Sequence, residues 1–337
     1  MRTAIATVVE GKDLTREEAA RAAELILSGA ATEAEIAGLL TALRMKGETV
    51  DEILGFASVL RSKANTIAPQ CENYVDLVGT GGDCTYSFNI STTSAFVAAG
   101  AGLPVAKHGN RSISSKSGAA DVLEALGVNI SADPAVVQKC VEEAGVGFMM
   151  APNFNPCMKY VGPVRKQLGI RTMFNILGPL SNPSRAKKMV VGVYDPKMVE
   201  TIAKVMAQLG VERGFVVSGD NHIDEFNLAG VTTVAEITDG VVSVFELKPE
   251  DVGLTRCTLD ELRGGEGTEN AQITRSILDG SQRGAKRDVV LLNAGATLYI
   301  GGLADSIADG IEKAKTSIDS GAAAQVLEKM VEMSQNG

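Results

Sequence analysis

The sequence predicts an α/β protein, with a small all-helical domain and a larger α/β domain on a central, mostly parallel sheet. Three observations carry this. The first 66 residues hold helix signals alone. From about Tyr74, short apolar runs alternate with glycine-rich turns and helical stretches. At 337 residues the chain is also too long for one ordinary core, so two domains are expected.

The helical signals are local and specific. Thr15-Arg16-Glu17-Glu18, Thr32-Glu33-Ala34-Glu35 and Thr49-Val50-Asp51-Glu52 are three capping boxes that recur every 17 residues. In each, the Thr hydroxyl accepts from the third backbone N–H and the Glu reaches back to the Thr N–H. Apolar residues follow at helical spacing, as in Ile36, Leu39, Leu40 and Leu43. Three short helices make a poor core alone, so this segment is expected to pack on something else or to dimerise.

The sheet signals come next: YVDLV before GTGGD, LPVAK before HGNR, MVVGVY before DP, and FVVSG before DNHIDE. Strands alternating with helices imply parallel pairing. Ligands on such sheets bind beyond the carboxyl ends of the strands, and each of these loops lies at such an end.

Composition excludes several classes. A formal charge of −9 and 4% aromatic residues fit neither a phosphate-neutralising nor a base-stacking surface, so no nucleic-acid partner is expected. No stretch reaches the length of an apolar membrane span, and the N-terminal MRTAIATVVEGKDLT does not read as a signal peptide. Five cysteines without a CxxC pair read as reduced, mostly buried thiols in a cytoplasmic protein. With only two histidines, a zinc ligand set is not expected.

Four clusters carry possible chemistry. Gly79-Thr80-Gly81-Gly82-Asp83 lets the backbone approach an anion closely, but lacks the spacing of a dinucleotide fingerprint or a P-loop. Asn89-Ile90-Ser91-Thr92 opens a helix with polar caps, where anions are favoured, and Ser91 offers Mg²⁺ a neutral oxygen. Lys107-His108-Gly109-Asn110-Arg111-Ser112-Ile113-Ser114-Ser115 combines a point charge, a guanidinium fork and three hydroxyls, a set suited to a polyanion. Asp224-Glu225 supplies paired hard oxygens for Mg²⁺ shared with a phosphate, although such a pair is more often a solvated surface. Separately, Arg165 falls near the apolar face of a helix through Met158, Val161, Val164 and Leu168. It therefore needs an acidic partner or a ligand carboxylate.

Taken together, GTGGD, FNIST, KHGNRSISSKSGAADVLEALG, PVRKQLGIRTMFNILGPLSNP and the later Asp-Glu pair resemble the anthranilate phosphoribosyltransferase family, in order and approximate spacing, over nearly the whole chain. The resemblance implies a helical domain of residues 1–66 and 167–182 that mediates homodimerisation. It implies an α/β domain of residues 67–166 and 183–337, with the active site in the cleft between the two.

The activity implied is transfer of a phosphoribosyl group from phosphoribosyl pyrophosphate to anthranilate with Mg²⁺. Gly79, Gly82, Asp83, Ser87, Asn89 to Thr92, and Lys107 to Ser115 with Ala119 then contact the donor. Ser91, Asp224 and Glu225 resemble the metal residues, and Gly79, Asn110 and Arg165 the anthranilate contacts. Lys107, Asn110 and Arg165 are the residues expected to carry catalysis. Three positions depart from the family pattern: Asn155-Pro156-Cys157 stands where many members have His-Pro-Ala, Ala119 where Ser is frequent, and Ser218 where His is common. Pyrimidine nucleoside phosphorylases share the fold, but their Lys/Ser-rich signature is not matched by KHGNRSISS.

Overall fold

The computed structural model describes residues 1–83, 85–112 and 116–336. The chain opens with helices α1 (Arg2–Val9), α2 (Arg16–Leu27), α3 (Glu33–Lys46) and α4 (Val50–Ser62). All three expected capping boxes form, with Thr15, Thr32 and Thr49 each accepting from the N–H three residues on. Each such cap is worth about 1 kcal/mol. The third does more than cap. Glu52, fully buried, also accepts from the Leu14 N–H at 3.0 Å and pairs with Lys46 at 3.0 Å, tying α4 to the chain ahead of α2. Helix α1 was not anticipated; Met1 precedes it without a side-chain cap, so no local signal announces it.

The sheet has seven strands: β1 (Val75–Gly79), β2 (Val105–Gly109), β3 (Val146–Met150), β4 (Lys188–Gly192), β5 (Arg213–Gly219), β6 (Thr232–Thr238) and β7 (Val241–Leu247). Their order is β3-β2-β1-β4-β5-β6-β7. The first five run parallel, and β6 and β7 add an antiparallel edge. Between β1 and β3 lie α5 (Ile90–Gly100), α6 (Ala119–Leu126) and α7 (Pro134–Lys139). Between β3 and β5 come α8 (Ala151–Phe154), α9 (Gly162–Leu168), α10 (Phe174–Leu180) and α11 (Val199–Gln208). The chain closes with α12 (Gly267–Leu278), α13 (Ala285–Ile300), α14 (Ile307–Asp319) and α15 (Ala322–Asn336).

Side chains alternate across the pleat, and the two faces feed separate cores. Phe215 and Val217 of β5, Val190 of β4 and Val234 of β6 join the core of α5, α6 and α12 to α15. Val216, Met189, Val191, Ala235 and Ile237 point the other way, into a core with α11 and α1 to α4. That second core also takes Cys157, Val161 and Val164, then Met173 to Leu180; α9 packs on α3 and α10 on α4. Phe174 meets Phe56 of α4 edge to face, with ring centroids 6.0 Å apart.

Among the described residues no helix is long and apolar enough to cross a membrane. Cys140 and Cys157 are buried free thiols, while Cys71 and Cys257 are only half-buried; Cys84 lies outside the described residues.

Candidate active site at the carboxyl ends of the parallel strands

Strand β1 has β2 on one side and β4 on the other, so the loops leaving β1 and β4 diverge and open a crevice. Gly79 and Gly192, the last residues of β1 and β4, stand opposite each other in register. Asp224, reached from β5, crosses directly over them. A methyl group on Gly192 would lie 1.7 Å from the Asp224 carbonyl oxygen, and one on Gly79 would lie 2.3 Å from its carboxylate. Glycine is required at both positions by this close approach.

The Gly81 N–H donates to Asp224 Oδ2 at 2.6 Å, and Gly81 and Gly82 adopt φ of +68° and +75°. Asp83 accepts from the Thr85 hydroxyl at 2.5 Å. That hydroxyl is also 3.5 Å from Ser87 Oγ, and Ser87 forms an isolated bridge with Arg263.

Glu225 supplies the next link. Its Oε1 accepts from the Ser91 N–H at 3.1 Å, so a carboxylate occupies the N-terminus of α5. Asn89, expected to cap that helix, makes no side-chain cap. Its Oδ1 instead accepts from Ser117 at 3.2 Å and from Asn270 at 2.9 Å. Ile90 is part of the apolar core, and Thr92 is buried with no partner for its hydroxyl among the described residues.

Lys107 lies on the other side of Ser91. Its ammonium donates to the Leu77 carbonyl and lies 3.4 Å from Ser91 Oγ. Lys107 and His108 both belong to β2 and are 2% and 3% exposed, so the strand runs two residues beyond the LPVAK stretch that the sequence marked. Glycine turn, Ser91, Lys107, Asp224 and Glu225 therefore converge on one crevice.

Burial governs the charges there. It pushes the Asp224 carboxyl well above the ordinary range, and the neighbouring Asp83 and Glu225 charges add to the rise. It lifts Glu225 to about 7 against the opposing pull of Lys107. Burial lowers Lys107, and Asp76, Glu225 and Asp224 resist that. Asp76, fully buried on β1, is raised to about 6 by burial; it accepts from Asn182 Nδ2 at 2.6 Å and from the His108 N–H at 3.3 Å. One cation thus sits among three carboxylates that are costly to ionise together. A divalent cation relieves that cost directly.

The residues fit such an ion. Asp224 and Glu225 each commit one oxygen to a main-chain N–H, and hard carboxylate oxygens beside a hydroxyl suit Mg²⁺. Among the described residues no group of three His, Cys, Asp or Glu could hold a metal alone. Mg²⁺ held by one or two carboxylates takes its remaining ligands from water and a substrate phosphate.

Past β2 the loop folds back on α6. The Asp121 carboxylate accepts from the Ser112 N–H at 3.0 Å and the Gly118 N–H at 2.8 Å, and pairs with Arg111 at 2.9 Å. A methyl on Gly118 would meet the Ser112 nitrogen at 2.4 Å, and one on Gly109 the Phe148 ring at 2.9 Å. Arg111 was expected to hold its fork open to a polyanion. Instead the fork closes on Asp121 and on Glu124 at 2.8 Å. Asn110 is exposed, and its Oδ1 accepts from the Arg111 N–H at 2.8 Å. Ile113, Ser114 and Ser115 lie outside the described residues.

Arg165 sits on α9. Met158, expected on the same helix, lies instead on a separate 3-10 turn, Pro156–Tyr160. The side chain is half-buried and no carboxylate among the described residues pairs with it; its guanidinium lies 6.0 Å from the Phe174 ring centroid. Burial alone lowers its basicity. His108 is neutral, driven down to about 4 by burial. Asn155 Nδ2, 3.1 Å away, donates to its Nε2, so the proton resides on Nδ1 and faces the Gly178 carbonyl at 3.2 Å.

Comparison with known proteins gives the assignment. Residues 71–324 match the glycosyl transferase family, a/b domain, and residues 2–64 its helical bundle domain. The anthranilate phosphoribosyltransferase of Acetivibrio thermocellus is 50% identical over 336 residues, covering 100% of this chain and 97% of that protein. The chain belongs to the anthranilate phosphoribosyltransferase family.

The Thermus thermophilus anthranilate phosphoribosyltransferase superposes with a TM-score of 0.94 at 41% identity, covering 98% of this chain and 99% of that one. The Saccharomyces cerevisiae anthranilate phosphoribosyltransferase, solved in complex with PRPP and Mg, gives 0.88 at 30% identity over 96% and 94%. The yeast protein has also been solved in complex with 4-fluoroanthranilate, with a TM-score of 0.86 at 28% identity over 96% and 94%.

Against the anthranilate phosphoribosyltransferase pattern, Asn155 is the departure with a visible consequence, since it fixes the His108 tautomer. Its Oδ1 is buried without a partner among the described residues, as is the Ser218 hydroxyl. Ala119 opens α6. Sequence reasoning missed Asp76, Asn182 and Asp121. A buried Asp inside the apolar run YVDLV was the one signal that could have exposed the first.

Proposed function

We propose that this protein transfers the 5-phosphoribosyl group from phosphoribosyl pyrophosphate to the amine of anthranilate. The products are N-(5-phosphoribosyl)anthranilate and pyrophosphate, and the step belongs to tryptophan biosynthesis. The observation that carries the reading is the convergence of the Gly81 N–H, the Ser91 N–H, Lys107, Asp224 and Glu225 at the carboxyl ends of β1, β2 and β5. On this reading, as the family resemblance implies, the donor is held by Gly79, Gly82, Asp83, Ser87, Asn89 to Thr92, Lys107 to Ser115 and Ala119. Ser91, Asp224 and Glu225 would hold Mg²⁺.

In the transfer the bond from ribose C1 to the pyrophosphate oxygen breaks, C1 acquires cationic character, and the aniline nitrogen bonds to C1 and sheds its proton. Mg²⁺, when bound, neutralises charge on the departing pyrophosphate. Lys107 adds a fixed positive charge in a site shielded from water. The amine of anthranilate is neutral at pH 7, so no strong base is needed, and His108 has both ring nitrogens engaged. Arg165, with no carboxylate partner among the described residues, holds the carboxylate of anthranilate, and Asn110 helps to orient the ring.

The helical unit of residues 1–66 and 167–182 forms the other wall of the cleft, which excludes water on closing. The packing of Met173 to Leu180 with α4 supports that division. We take the protein to be a cytoplasmic homodimer joined through this unit.

Loss of anthranilate fluorescence with phosphoribosyl pyrophosphate and Mg²⁺ present tests the activity; a constant signal contradicts it. Within the same assay, Arg165→Ala is expected to raise the KM for anthranilate by about tenfold or more while leaving the donor KM near wild type. An unchanged anthranilate KM would remove Arg165 from the acceptor site.

A further inference from the structure

Arg171, in the segment joining α9 to α10, makes two contacts that no catalytic role yet explains. Its guanidinium carbon lies 4.0 Å from the Tyr194 ring centroid, and its Nη2 donates to the Gly82 carbonyl. Tyr194 follows β4 and is 7% exposed; its own carbonyl is 3.0 Å from His222 Nδ1, two residues before Asp224. Arg171 therefore joins the ends of β1, β4 and β5 to the stretch of chain that carries Arg165. No carboxylate among the described residues pairs with it.

We propose that Arg171 is a positioning residue that sets the glycine turn for the pyrophosphate donor, with Tyr194 as its platform. This rests on the reading of the turn after β1 as a phosphate-binding loop.

The physical case begins with the peptide plane. A turn that binds an anion must aim N–H groups inward and carbonyl oxygens outward, because an inward carbonyl repels phosphate. In a planar trans peptide, C=O and N–H point in opposite directions, so a Gly82 carbonyl fastened to Arg171 turns the Asp83 N–H away from Arg171. The turn needs such a fastening because Gly81 and Gly82, at φ +68° and +75°, have few steric barriers to other conformations. The charge of arginine strengthens the bond to the carbonyl, and its planar face stacks on Tyr194 while the edge donates.

The test uses the full-length enzyme and the variants Arg171→Ala, Arg171→Lys, Tyr194→Phe and Tyr194→Leu. Donor affinity by calorimetry with phosphoribosyl pyrophosphate and Mg²⁺ is read beside both KM values and the melting temperature. Arg171→Ala is expected to weaken donor binding by about tenfold or more, as for a lost hydrogen bond to a charged group, with the anthranilate KM within about twofold. Tyr194→Phe keeps the stack and should match wild type. Tyr194→Leu should cost about two- to fivefold, the range of an exposed to half-buried cation–π contact. Arg171→Lys, with charge but no stacking face, should fall between the two. Arg171→Ala with Tyr194→Leu should cost less than the two separate losses combined, because both act through one guanidinium.

Equal donor affinity in folded Arg171→Ala and wild type overturns the latch alone. So does an equal rise in both KM values with a lowered melting temperature, which marks a purely structural role. Wild-type protein that neither binds nor turns over the donor overturns the loop reading and the latch with it.

Discussion

Changing Asp224→Asn together with Glu225→Gln is expected to lower magnesium-dependent turnover by at least about tenfold, roughly 1.4 kcal/mol, while making the metal-free protein more stable. The two effects share a cause. Both carboxyls have folded-state pKa values above the ordinary range, with Glu225 near 7 against 4.5, because burial and the neighbouring Asp83 charge disfavour their ionisation.

A carboxyl raised in this way gives stability that is fully present below the unfolded pKa and is lost as pH rises through the folded one. For Glu225 the loss runs from about 4.5 to about 7, and Asp224 acts in the same direction. The wild-type protein without metal should therefore melt lower at about pH 8 than at about pH 5, and Mg²⁺ should raise its melting temperature more at the higher pH. The double variant should lose most of that slope and most of the response to Mg²⁺. Melting curves across this range, with and without Mg²⁺, check both points. Full activity in the variant would place the metal elsewhere.

Replacing Lys107 by Met is expected to lower kcat/KM by about a hundredfold or more, close to 2.7 kcal/mol, on the scale seen when one transition-state contact is deleted from a water-excluded site. Lys107 is 2% exposed and is the cation that opposes the rise of Asp76, Asp224 and Glu225, so its loss leaves buried carboxylates uncompensated. The melting temperature should fall as well. Adding Asp76→Asn removes the deepest of these carboxylates and should restore stability without restoring turnover. That separates a folding defect from a chemical one. Lys107→Arg should not rescue, because a planar fork does not fit where a single ammonium meets the Leu77 carbonyl and Ser91. Near-wild-type turnover in Lys107→Met would contradict the role given to this residue.

What could be read from the sequence was what local chemistry encodes. The capping boxes at Thr15, Thr32 and Thr49 span four residues each and formed as expected. Runs ending in glycine turns located β1, β2, β4 and β5. The β6–β7 hairpin was overlooked although its turn is Asp239-Gly240, both at positive φ, a pairing that marks a two-residue hairpin loop. Strand β3, buried along its whole length, lacks the alternation that reveals a half-exposed strand.

At the site, the Asp224-Glu225 pair looks like an ordinary solvated surface until the fold sets it over Gly79 and Gly192. Asp76, Asn182 and Arg171 act through partners many tens of residues away, which no local spacing could show. The ion pairs of Arg111 went unread for the converse reason: Asp121 and Glu124 lie only one and two helical turns into α6, and they engage the fork in this structure.

The most direct measurement of the central claim is calorimetric titration of the wild-type protein with phosphoribosyl pyrophosphate, in the presence and absence of Mg²⁺. Glycine turn, Lys107 and acidic pair acting as one receptor predict binding that weakens by about tenfold or more without the metal, and a metal response that disappears in the Asp224→Asn, Glu225→Gln variant. Equal affinity with and without Mg²⁺, or an undiminished metal response in that variant, would contradict it.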